Sequence, residues 1–445
     1  MSETTDIERD TDELVEESQR AALRLANTDE ATRNDALRSI ADALRANEAA
    51  ILGANERDVE AAEEMLERGE YTQALVDRLK LDAAKLDDIA EMVESVAEQE
   101  DPLGRTLGAR ELDEGLELFR VSVPIGVVAT VFESRPDALV QIAALALKSG
   151  NAAILKGGSE ASESNRVLHR VIREATADLP DGWAGLVEAH EEVDRLLELD
   201  DKVDLVMPRG SSEFVSYIQD NTQIPVLGHT EGICHVYVDD DADLEMAADI
   251  AFDAKVQYPA VCNAVETLLV NDSVASELLP DLVDRYEAAG VELRGDEATR
   301  EIVDVGAATA DDWDTEYGDL ELSITLVDDV YDAVEHVNAH GSKHTESIVT
   351  EDRAAADAFM TGIDAASVFH NASTRFADGY RYGLGAEVGI STGKIHARGP
   401  VGLDGLTTYK YYLEGDGHLV ASYSGEDALP FTHRELDAEW ESGGT

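Results

Sequence analysis

An α/β fold with a doubly wound nucleotide-binding domain is predicted by three observations. The succession strand, polar glycine turn, helix occurs twice in the first half of the chain, a second α/β series follows it, and the length of 445 residues exceeds what one hydrophobic core normally supports. Two or more domains are therefore expected, with ligands bound in the cleft between them.

Residues 1 to about 105 read as amphipathic helices. The triplet Thr28-Asp29-Glu30 provides a helix cap, and Leu37, Ile40, Leu44 and Ile51 recur near helical spacing. From 116 to 132 the pattern becomes strand-like, with Val121, Val123, Val127, Val128 and Val131 interrupted by Pro124 and Gly126. A turn through Ser134-Arg135-Pro136 leads to an apolar helix over 138–148. Gly150-Asn151 ends that helix, 152–155 is a short buried strand, and Lys156-Gly157-Gly158-Ser159 leads to a second helix from about Ala161. This is a βαβ unit, so a parallel sheet is expected. The same punctuation recurs at 203–207, Pro208 to Ser212, and a helix from about Glu213. The second series comprises a strand at 234–238, a helix at 243–255, a strand at 267–270, a helix at 274–289, and strands near Leu322 and Ser347.

Acidic residues number 95 against 35 basic ones, giving a formal charge of -60, while 44% of residues are apolar and periodically placed. That is a folded chain with an acidic coat. Nucleic acid and anionic lipid are excluded as partners by simple repulsion. The N-terminal residues are polar and acidic and no run of 18 apolar residues occurs, so neither signal peptide nor membrane span is expected and the chain reads as cytoplasmic. Acids spread along the whole chain, with lysine scarce relative to arginine, suit a salt-loaded cytoplasm, where mobile ions screen self-repulsion. The melting temperature is expected to rise by about 10 °C between dilute buffer and molar KCl, a few kcal/mol for a chain of this size. A melting curve indifferent to KCl would contradict this reading.

Two cysteines occur, Cys234 and Cys262. Cys234 sits in an alternating strand (residues 233–238) and reads as a packing residue, with His235 on the opposite face. Cys262 lies in the loop 258–263 between a helix and a strand, flanked by Pro259 and Asn263. From that context it is either a nucleophile activated by its surroundings or a structural thiol. The two glycine turns fit neither a dinucleotide fingerprint nor a P-loop; each is either an anion cradle at a helix N-terminus or simply a tight turn. His340 and His344 have helical ligand spacing, but Gly341 and Lys343 between them argue against a metal, and no metal site is expected.

Four stretches together carry a resemblance: 124–165 (PIGVVATVFESRPDALVQIAALALKSGNAAILKGGSEASESN), 204–211 (DLVMPRGS), 258–270 (YPAVCNAVETLLV) and 366–410, which includes LGAEVGISTGKIHARGP. They resemble the γ-glutamyl phosphate reductase branch of the aldehyde dehydrogenase superfamily, in order, from roughly residue 10 to 420, with a composition like that of a halophile's protein. The resemblance implies a Rossmann-type cofactor domain (1–105 and 122–227), an α/β catalytic domain (228–395), a small β oligomerisation arm (106–121 and 396–430) and an acidic tail (431–445). It implies NADPH-dependent reduction of glutamyl 5-phosphate to glutamate 5-semialdehyde in proline biosynthesis, with Cys262 as the nucleophile that carries the acyl group.

By the same resemblance, the backbone N–H of Cys262 and the Ser134 side chain are oxyanion donors. Lys156 contacts the adenosine ribose, and Ser159 stands where a glutamate often binds the 2′-hydroxyl, which makes room for a 2′-phosphate. Arg209, Gly210 and Ser211 approach the pyrophosphate, and Glu316 holds the nicotinamide ribose. Arg135 and Arg375 are candidates for the substrate's carboxylate or phosphate, or else structural ion-pair partners. Hydrolytic members use a glutamate in a Glu-Leu-Gly-Gly segment to activate water. The stretch Gly228-His229-Thr230-Glu231-Gly232 is out of register with it, although a small loop shift would bring Glu231 near Cys262 and give the alternative, an NADP-dependent hydrolytic dehydrogenase. A homodimer or homotetramer is implied, joined through residues 106–121 and 407–413, with glutamate 5-kinase a possible partner.

Overall fold

A computed structural model describes residues 11–133 and 135–441. Among these residues the principal strands form three sheets, two of them wholly parallel and flanked by helices, the third antiparallel.

The first parallel sheet has the order Ala184–Leu186, Ala152–Gly157, Val127–Phe132, Leu205–Arg209. Its two central strands are buried at every position, as expected where helices cover both faces and the sequence runs apolar without alternation. Helix Pro136–Lys148 opens with proline in its first turn and ends at Gly150, whose φ of 70° only glycine adopts freely, with Asn151 N–H returning to the Ala146 carbonyl. Lys148 is fully buried; its Nζ donates to Asn34 Oδ1 at 2.9 Å and pairs with Glu30 at 3.2 Å, tying this helix to the N-terminal bundle. In that bundle, helix Glu30–Ala46 starts where the cap triplet predicts: the Asp29 carboxylate accepts the Thr32 N–H at 2.7 Å.

The second parallel sheet has seven strands, in the order Gly306–Ala307, Glu292–Gly295, Glu321–Val327, Val265–Asn271, Cys234–Val238, Thr345–Val349, Ser367–His370. Its core is built from the inner faces of helices Leu244–Val256 and Asp272–Ala288. Strand Cys234–Val238 matches the predicted bounds, and strand Val265–Asn271 extends the predicted one at both ends.

The antiparallel sheet joins Thr407–Glu414, Leu116–Pro124, Thr106–Asp113 and Arg434–Leu436. The stretch read as an acidic tail from 431 is thus in part a fourth strand: Ala109 to Glu111 pair with Leu436 to Arg434, and the Trp440 ring stacks on Tyr412 with centroids 4.4 Å apart. Strand Thr407–Glu414 stands at the sheet's edge with Tyr411 60% and Leu413 57% exposed. An edge of this kind needs a cover. No helix among the described residues is long and apolar enough to cross a membrane.

Candidate active site

Strands 127–132, 152–157 and 205–209 end level with one another, Phe132 opposite both Gly157 and Arg209. Ligands in open parallel sheets sit beyond such carboxyl ends. A cleft of about 720 Å³ opens there, and its far wall is the loop bearing Cys262.

That loop is held by short-range packing. Gly232 lies so close to the Cys262 backbone that a Cβ would overlap its carbonyl and Cα. Cys234, buried in its strand as predicted, donates its thiol to the Cys262 carbonyl at 3.2 Å. Asn263 is buried rather than solvent-facing, because its amide donates to the Ala377 carbonyl at 2.8 Å. Cys262 itself remains partly exposed to the cleft. A Gly232→Ala chain is therefore expected to displace the thiol: the clash is with backbone, which cannot rotate away, and kcat/KM should drop by roughly 10²-fold. Wild-type kinetics from that variant would show that the contact positions nothing.

Burial, reinforced by the carboxylates of Glu316 and Glu387, pushes the Cys262 thiol up to about 12, against the opposing pull of Arg209. In isolation it is therefore protonated at neutral pH, and a base must take its proton. His229 is placed for that. Its Nδ1 meets the Ile390 carbonyl at 3.0 Å, so Nδ1 carries the proton and Nε2 the lone pair. Burial lowers its pKa and keeps the ring neutral. One ring nitrogen each of His229 and His344 and the Cys262 sulfur all lie within 4.8 Å of one another. Glu231 is exposed and absent from the cleft wall. It is His229 of the Gly228–Gly232 stretch, and not Glu231, that faces the thiol.

In a chain with so few cations, four arginines line this one cleft: Arg78, Arg135, Arg209 and Arg375. Arg375 is 7% exposed and donates Nε to Gln257 Oε1 at 2.9 Å. Arg209 leaves the end of its strand with Nη1 buried and unpartnered, near the thiol. Arg78, on helix Gln73–Leu79, comes from the N-terminal stretch in which the sequence displayed no chemistry.

Of the expected cofactor residues, Arg209, Gly210 and Ser211 line the cleft, and Ser211 N–H donates to the Glu133 carboxylate at 3.0 Å, so an anion already occupies this helix N-terminus. Lys156 and Ser159 lie just beyond the cleft wall, at the end of the neighbouring strand. Lys156 is buried and Glu133 and Glu160 act on it; the Glu160 carboxylate folds over Gly158, where a Cβ would collide with it. Glu316 acts on Cys262 from across the site. Ser134 lies outside the described residues.

Comparison with known proteins places these features in context. The sequence model of the aldehyde dehydrogenase family matches residues 4–312. Over 442 residues, 99% of this chain and all of the relative, it is 71% identical to a γ-glutamyl phosphate reductase of Natronomonas pharaonis. It is 64% identical over 449 residues to that of Haloquadratum walsbyi, covering 99% and 98% of the two chains. The crystal structure of γ-glutamyl phosphate reductase from Thermotoga maritima superposes with a TM-score of 0.89 at 42% identity, covering 92% of this chain and 100% of that one.

Proposed function

The chain belongs to the aldehyde dehydrogenase family, and from that premise we propose that it reduces L-glutamyl 5-phosphate to L-glutamate 5-semialdehyde with release of phosphate, through an acyl group carried on Cys262. The observation that supports this most strongly is the meeting of a single cleft thiol with four arginines on an otherwise acidic protein. The substrate carries a carboxylate and a phosphate, and paired arginines bind both groups with fixed geometry. Arg135 and Arg375 are assigned to the substrate. Arg209, its Nη1 unpartnered, adds a further positive charge beside the sulfur.

His229 takes the thiol proton as sulfur attacks the acyl carbon; the C–S bond forms, the bond to the phosphate oxygen breaks, and phosphate leaves. The Cys262 backbone N–H is the donor proposed for the developing oxyanion. A nicotinamide dinucleotide bound across the cleft would supply hydride to the thioester. The resulting hemithioacetal collapses, the C–S bond breaks, and His229 returns its proton to the sulfur. Splitting one hard reduction in this way suits a thiol, which activates the carbonyl more than a carboxylate does.

The donor set suits a dinucleotide: Arg209 Nη1 is buried and unpartnered, Lys156 is a buried cation, and the Ser211 N–H at a helix start holds an anion, the Glu133 carboxylate, which a pyrophosphate would have to displace. Lys156, Ser159, Arg209, Gly210, Ser211 and Glu316 would hold it. NADPH is preferred over NADH on the ground that Ser159 itself offers no carboxylate and Lys156 offers a cation, provided the neighbouring Glu160 carboxylate swings off Gly158 to admit a 2′-phosphate. A Ser159→Glu substitution is expected to shift the ratio of kcat/KM for NADPH and NADH about tenfold towards NADH, the effect of roughly 1.4 kcal/mol. An unchanged ratio would remove Ser159 from the cofactor site.

The bare edge of strand Thr407–Glu414 supports a homodimer or homotetramer, and the acidic coat supports a salt-loaded cytoplasm. A partnership with glutamate 5-kinase would protect an unstable acyl phosphate. The reverse reaction tests the assignment against a hydrolytic dehydrogenase: with glutamate 5-semialdehyde and NADP in high salt, reduction of NADP should require phosphate. Phosphate-independent formation of glutamate would support the hydrolytic reading instead.

A further inference from the structure

We infer that Cys262, His229 and His344 form a reversible binding site for a borderline-soft divalent cation, Zn²⁺ by preference, whose occupancy takes the nucleophile out of the reaction. The helical spacing of His340 and His344 does not make this site; His344 instead meets two residues remote from it in sequence. The sulfur and one nitrogen of each ring lie within 4.8 Å of one another. In a tetrahedral zinc site with bonds of about 2.0–2.3 Å, ligand atoms stand roughly 3.3–3.7 Å apart, so closure asks for side-chain adjustments of about 1 Å. The two rings meet edge to face, centroids 5.0 Å apart.

The second observation is His344 itself. It is 1% exposed, and its Nε2 has no hydrogen-bond partner, an omission that costs free energy in a buried imidazole. Its Nδ1 lies 2.9 Å from Thr345 Oγ1, and Nδ1 of His229 lies 3.0 Å from the Ile390 carbonyl. With Thr345 Oγ1 accepting from His344 Nδ1, which also lies 3.7 Å from Cys234 Sγ, and the Ile390 carbonyl accepting from His229 Nδ1, Nε2 of each ring keeps its lone pair for the ion, the arrangement that orients metal-binding imidazoles. Three protein ligands with the cleft beyond them leave a fourth position for water. As the Zn–S bond forms the thiol proton passes to solvent, with no change of oxidation state.

Binding is read without reference to catalysis. Chelator-treated enzyme in molar KCl is titrated with Co²⁺, whose bond to a thiolate gives a charge-transfer band that carboxylate-bound cobalt lacks. One equivalent per chain is expected to develop this band, Zn²⁺ to abolish it, and Zn²⁺ to protect Cys262 from iodoacetamide. The band should vanish in Cys262→Ala, and half-saturation should rise about tenfold or more in His344→Gln and, at a less buried position, in His229→Gln; melting curves identify a variant that has lost its fold. Absence of the band in the parent enzyme, or a folded histidine variant that binds Co²⁺ as tightly as the parent, would overturn the site. Because the band reports the metal–sulfur bond alone, it holds or fails independently of the reaction assigned to the enzyme.

Discussion

Replacing Cys262 by alanine is expected to lower kcat by about 10⁴-fold or more in both directions of the reaction, while the melting temperature stays within a few degrees of the parent's. The activity loss follows because no other thiol reaches the cleft: Cys234 is sealed in its strand, and burial raises its pKa well above the ordinary value. The small stability change follows because Cys262 is partly exposed and its loop is held by Gly232, Cys234 and Asn263 rather than by its own sulfur. The free thiol should alkylate slowly at pH 7. Burial pushes it up to about 12, so the reactive thiolate fraction, and with it the rate of iodoacetamide labelling, should climb about tenfold per pH unit across the neutral and mildly alkaline range. Variant and parent turning over at equal rates would remove Cys262 from the mechanism.

The second large effect is expected at His229. Asparagine there can still donate to the Ile390 carbonyl but has no lone pair comparable in basicity to Nε2, so it tests proton transfer with little loss of architecture. A positioned general base contributes roughly 10²–10⁴-fold, and that is the expected fall in kcat for His229→Asn, with KM for the substrate changing much less because the arginines are untouched. The surviving activity should rise more steeply with pH than the parent's, since solvent must then ionise the thiol. A fall confined to KM, with the pH profile unmoved, would make His229 a binding residue instead.

How much of this was legible in the sequence depended on whether the signal was local. Strand Cys234–Val238 was readable from alternation, helix Glu30–Ala46 from its cap, and helix Pro136–Lys148 from a proline start and a glycine stop, because each is specified by residues within a few positions. Helices Val330–His340 and Arg353–Gly362 and strand Ser367–His370 were not identified, although Asp329 and Asp352 cap the two helices in the ordinary way. Cys262 stands out by its loop, but the role of the flanking Asn263 is not local: it is polar because it must reach the Ala377 carbonyl, more than a hundred residues away, from a buried position.

His229 was missed for a related reason. The role proposed for it depends on Ile390 on one side and His344 on the other, neither of them near it in the chain. The available signal was the segment itself: a histidine within residues 228–232, where hydrolytic relatives were expected to carry a catalytic glutamate. Glu231 is the acid of that segment, but strand Cys234–Val238 and the packing of Gly232 against Cys262 set the register and turn His229 inward. Arg78 carried no local signal at all; only the fold brings helix Gln73–Leu79 to the cleft.

Passage of an acyl group through the sulfur of Cys262 is tested most directly by mass spectrometry of the enzyme mixed with glutamate 5-semialdehyde and NADP in the absence of phosphate. A glutamyl adduct confined to the peptide bearing Cys262, formed together with one equivalent of reduced cofactor and discharged on adding phosphate, is the predicted result. Turnover with phosphate present but no adduct on Cys262 when phosphate is withheld, or an adduct on another residue, would contradict it.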